Sequence, residues 1–135
     1  MNNQRSEISV KNKYWIPKFR YLELKNFCLQ YNDWKLALKE ITLIQSKSRI
    51  EFTSTLSNPT ELLVTKREQY EANIQLIERV AEQAEPTLAK WILRGVTENL
   101  SYDYLKYQLE IPAGRDMYYD RYRRFFWLLD REKKF

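Results

Sequence analysis

The chain has 135 residues with a hydrophobic fraction of 44%, which sets an expectation of one compact domain or one domain with an appended piece. Only 2 Gly and 4 Pro are too few for a sandwich or barrel built on tight turns. There is no histidine and one cysteine, which excludes an internal disulfide and a zinc site and removes the commonest general base. The net charge of +5 is uneven: residues 1–25 carry six Lys/Arg against two Asp/Glu, residues 26–110 ten against twelve, and residues 111–135 seven against four, so an anionic partner is expected at one or both ends.

In chain order, residues 1–13 are polar and read as a basic arm, with no apolar signal region behind Met1. Tyr14-Trp15-Ile16-Pro17 leads into a first helix, because Pro17 disfavours helix at Ile16 and suits a start just after it. Apolar residues recur at helical spacing from Lys18 to about Leu43, as one helix or as two broken at Asn32-Asp33. Cys28, between Phe27 and Leu29, reads as a buried structural thiol in a reducing, cytoplasmic setting.

Residues 45–59, rich in Ser, Thr and Asn, read as a loop. Asn58-Pro59-Thr60-Glu61 has the outline of a helix start, and the helix is expected to run to about Ala84. Leu62, Leu63, Tyr70, Ile74, Ile77 and Val80-Ala81 form its apolar stripe, suited to a core or to a homodimer seam. The expected division is thus 1–57 and 58–135. No apolar run reaches the roughly 18 residues of a membrane span.

The C-terminal part carries the most specific pattern. Pro86 to Arg94 reads as a helix stopped by Gly95. Ser101 is placed to cap a short helix from Tyr102 to Leu109. A turn holding Pro112 and Gly114 follows, and the last helix runs from Arg115 or Asp116 to about Lys133. Short helix, turn, longer helix is the outline of a helix-turn-helix.

At about 100° per residue, Tyr118, Tyr119, Tyr122, Phe125, Phe126 and Leu129 share one stripe of the last helix. Asp116, Met117, Asp120, Arg124, Trp127 and Arg131 point away from it, with Arg121 and Arg123 on the flanks. Arginine suits phosphates and guanine edges because its planar fork binds bidentately. Asp116 and Asp120 repel phosphate, and are read as orienting the arginines or accepting from a cytosine amino group.

The segments Leu100 to Leu105, Ile111 to Asp116 and Tyr118 to Asp130 resemble the end of the phage transcriptional regulators of the RinA and ArpU type. The resemblance implies a promoter-reading region similar to that of sigma factors, with promoter DNA and host RNA polymerase as partners.

The expectation is therefore an all-α helical bundle with a C-terminal helix-turn-helix, without enzymatic activity or cofactor. It would act as a DNA-binding transcription regulator of phage or prophage origin. Arg115, Met117, Tyr118, Arg121 and Arg124 are the candidate DNA contacts, with Arg123, Lys133 and Lys134 on phosphates. Two alternatives stand beside it: a protein–protein adaptor anchored on Trp15, Trp34 and Trp127, and a DNA-binding component of phage packaging.

Overall fold

The computed structural model describes residues 12–50 and 58–133, apart from the side chains of 48–50 and 58–60. The described residues form helices only: α1 (Lys18–Leu29), α2 (Tyr31–Ile50), α3 (Asn58–Ala84), a 3-10 turn at Pro86–Leu88, α4 (Ala89–Glu98), α5 (Tyr102–Tyr107) and α6 (Arg115–Glu132). The all-α expectation holds for them. The basic arm lies almost wholly outside the described residues, and so does the side chain of the Asn58 cap.

The chain divides into two compact units, Met1–Leu29 with Ile77–Phe135, and Gln30–Leu76. The last turns of α3 and all of α1 group with the C-terminal helices.

In the first unit, α1, α4 and α6 pack on one another. Leu24, Cys28, Ile77, Val80, Ile92, Phe125 and Leu129 lie wholly inside it. Burying a side chain of the Leu or Phe class contributes about 1.5–3 kcal/mol, so this cluster is the main source of its stability. Burial also pushes the Cys28 thiol pKa far up, which keeps it protonated and unreactive. Aromatic rings complete the core: Tyr21 meets Phe126 edge-on at 5.1 Å, and the Tyr21 and Tyr122 hydroxyls share a 2.8 Å hydrogen bond.

The break between α1 and α2 is a single residue, Gln30, whose carbonyl accepts from Trp34 N–H at 3.0 Å. Asn32 and Asp33 therefore lie inside the first turn of α2, where Asp33 meets the positive helix end. In the second unit α2 runs on to Ile50, through residues expected to be loop. Arg67 on α3 donates to Gln45 at 2.8 Å, a tertiary contact available to this part of α2 only in the folded unit.

Gly95 does not stop α4. It is buried inside the helix, which ends at Glu98 with Asn99 in the left-handed region, φ 56°. Leu100 N–H then bonds back to the Gly95 carbonyl at 3.2 Å. A Cβ on Gly95 would overlap the Tyr118 hydroxyl, so the glycine serves close approach between α4 and α6.

Candidate nucleic-acid interface

The short helix and the long one are joined by residues 108–114, held by specific bonds. Ser101 caps α5 as expected, its Oγ accepting from Tyr104 N–H at 3.1 Å. Glu110 takes φ 55°, and beyond it Ile111 is buried with its N–H on the Leu105 carbonyl at 3.0 Å. The Trp91 indole N–H donates to the Leu109 carbonyl at 2.8 Å, and the Tyr102 hydroxyl to the Ala113 carbonyl at 2.6 Å. Both polar tips of this connection are thereby tied to flanking helices, so α6 leaves it at a fixed angle.

Tyr118, Tyr122, Phe125, Phe126 and Leu129 of the expected stripe are buried; Tyr119 is half-buried at its edge, 5.1 Å ring to ring from Tyr118.

The candidate DNA contacts do not share one surface. Arg115 and Met117 project from the first turn of α6, with Met117 exposed and Arg115 half-exposed. Arg115 pairs with Asp103 at 2.6 Å and lies over the Tyr102 ring at 5.0 Å. Tyr118 is 0% exposed and belongs to the core, so it cannot reach a ligand; its ring is needed between α4 and α6. Burial pushes its hydroxyl pKa well above the usual phenol range, and that hydroxyl makes no hydrogen bond among the described residues.

Arg121 turns toward the end of α3, where it pairs with Glu85 at 2.7 Å and also with Asp120. The Arg121 hydrogen bond holds the Glu85 carboxyl below its ordinary range. Arg123 is half-buried on the opposite flank. Arg124 points to the N-terminal segment and donates to the Tyr14 hydroxyl at 3.3 Å. Lys133 lies over the Phe27 ring of α1 at 4.7 Å. Lys134 lies outside the described residues.

Trp34, offered as an adaptor anchor, is buried at 8% exposure, whereas Trp15 is half-exposed. Trp127 has Tyr14 on one side at 5.7 Å and the Arg131 guanidinium over its ring at 4.5 Å. The sequence places Tyr14 among aromatics that would pack on the core or carry a contact, and it is buried, but nothing local connects it to Arg124, 110 residues away. The one available signal was the spacing of Trp127 and Arg131, which sets them one turn apart on the same face.

Among the described residues no group of His, Cys, Asp and Glu is arranged to hold a metal ion, and no helix is long and apolar enough to cross a membrane. Comparison with protein-family models, curated proteins and solved structures returned no match.

Proposed function

We propose that the chain is a non-catalytic DNA-binding regulator of transcription, phage or prophage encoded and cytoplasmic, that sets the first turns of α6 in the major groove as the second helix of a helix-turn-helix. The observation that carries this reading is the braced connection between α5 and α6. It buries Ile111 and the Tyr118 side of α6 while leaving Arg115 and Met117 outward. A reading helix needs that division, one side anchored on the scaffold and its N-terminal residues facing outward, where Arg115 would exchange its pair with Asp103 for a base edge. The resemblance to RinA- and ArpU-type regulators adds RNA polymerase as a partner.

The test is a fluorescence-anisotropy titration of duplex fragments from the chain's own genomic neighbourhood, with Arg115→Ala and Met117→Ala alongside. Tight binding to one fragment, relaxed in preference by either substitution, is expected. Equal weak binding to all fragments would remove the reading.

One observation favours an added protein contact. Leu36 and Leu43 on α2 are 59% and 67% exposed and lie seven residues apart, on one helix face. A homodimer or a polymerase subunit would cover them. Leu43→Lys is expected to abolish that association, read by light scattering or pull-down of polymerase, and to leave DNA binding intact.

A further inference from the structure

Apart from Arg123, the described arginines of the first unit fall into two groups. Arg20, Arg79, Arg94, Arg115 and Arg121 each pair with a carboxylate. Arg124 and Arg131 pair with none among the described residues, and neither does Lys13. All three are instead held by aromatic groups. Lys13 Nζ lies 5.0 Å from the centre of the Tyr14 ring, Tyr14 packs on Trp127, and Arg131 covers Trp127. The Tyr14 hydroxyl accepts from Arg124.

The neighbouring carboxylates are already committed. Asp120, one turn before Arg124, is paired with Arg121; Asp130 is paired with Arg20, and Glu132 with Arg79. Among the described residues this face thus presents three cations with no counter-ion, whereas Arg115 and Arg121 on the first turns of α6 each lie against a carboxylate. Contact with a π-face leaves the donors of a guanidinium or ammonium free for an anion.

We propose that Lys13, Arg124 and Arg131, positioned by Tyr14 and Trp127, form a second DNA contact that grips the phosphodiester backbone of a duplex. This rests on the DNA-binding reading and divides its work: the start of α6 reads bases, and this patch supplies sequence-independent affinity. A row of cations suits a phosphodiester chain because each one that neutralises a phosphate releases condensed counter-ions.

The experiment measures the salt dependence of binding to a 40-base-pair duplex of mixed sequence. Wild type is compared with Lys13→Gln/Arg131→Gln, which removes two charges at exposed positions. A control, Arg94→Gln, removes a charge already paired with Glu98. Circular dichroism and melting temperature establish that each variant is folded. The double variant is expected to lower the slope of log K against log salt by about 1.8 and to weaken binding alike on every sequence, while the control leaves the slope unchanged. Wild-type binding with an unaltered slope in the folded double variant overturns the patch and leaves the DNA-binding reading standing. No duplex binding by wild type at low salt overturns both.

Discussion

The hydroxyl of Tyr118 occupies the space that a Cβ on Gly95 would fill. An alanine at 95 would collide with it, although the remaining neighbours, Tyr118 Cζ at 3.4 Å and Leu105 Cδ1 at 3.5 Å, leave ordinary contact room. Gly95→Ala is therefore expected to destabilise the chain by about 1–3 kcal/mol. Tyr118→Phe removes a buried hydroxyl that has no partner among the described residues and is expected to be neutral or stabilising by about 1 kcal/mol. The double variant should be at least as stable as wild type, since alanine gains about 1 kcal/mol over glycine inside a helix. Urea denaturation of the four proteins checks the cycle, and simple additivity would contradict it.

The geometry of the α5–α6 connection rests on two backbone positions. Ser101→Ala removes the cap of α5 and should cost about 1 kcal/mol. Glu110→Gly relieves a left-handed residue that carries a Cβ and should gain about 1 kcal/mol. Both should shift the urea midpoint at constant slope. A loss of stability in Glu110→Gly would mean that its side chain has a role beyond filling the turn.

Acid should weaken the contact between the end of α3 and α6. Glu85 has its pKa lowered from 4.5, first by the hydrogen bond from Arg121. A carboxylate with a depressed folded pKa adds stability above its ordinary range, and that stability is lost as pH falls through the folded pKa. Melting temperature should therefore fall as pH drops below 4.5, and less steeply in Glu85→Gln. Glu98, lowered by Arg94, keeps part of the dependence in that variant. An identical pH profile for wild type and Glu85→Gln would contradict the assignment.

Cys28 is 0% exposed, with its pKa raised by desolvation. Its reaction with a thiol reagent should be negligible in native buffer and should rise in step with unfolding in urea. Rapid labelling of the folded chain would show that the α1 core opens locally.

Much of the fold was legible because its signals are local. Ser101 sits where a capping hydroxyl must, Pro17 precedes its helix, and the period of Tyr118, Tyr122, Phe125 and Leu129 marks the buried side of α6. What failed depends on contacts distant in sequence. Gly95 read as a helix stop, because its neighbour Tyr118 is invisible from the local pattern. Tyr118, a candidate DNA contact by residue type, follows its spacing on the apolar stripe into the core. The pairing of Arg121 with Glu85 and the cover of Trp127 by Tyr14 follow from the packing of the first unit, and they split the expected basic face into a neutralised end and a cationic one.

The proposed function requires that the first turns of α6 read DNA sequence. The most direct measurement is selection from a randomised duplex pool, followed by sequencing of the retained fragments, for wild type and for Arg115→Ala/Met117→Ala. One enriched sequence is expected for wild type, with preference lost at the contacted base pairs in the variant while binding to the pool persists. A pool that stays random under wild type, or an enriched sequence unchanged in the variant, would contradict it.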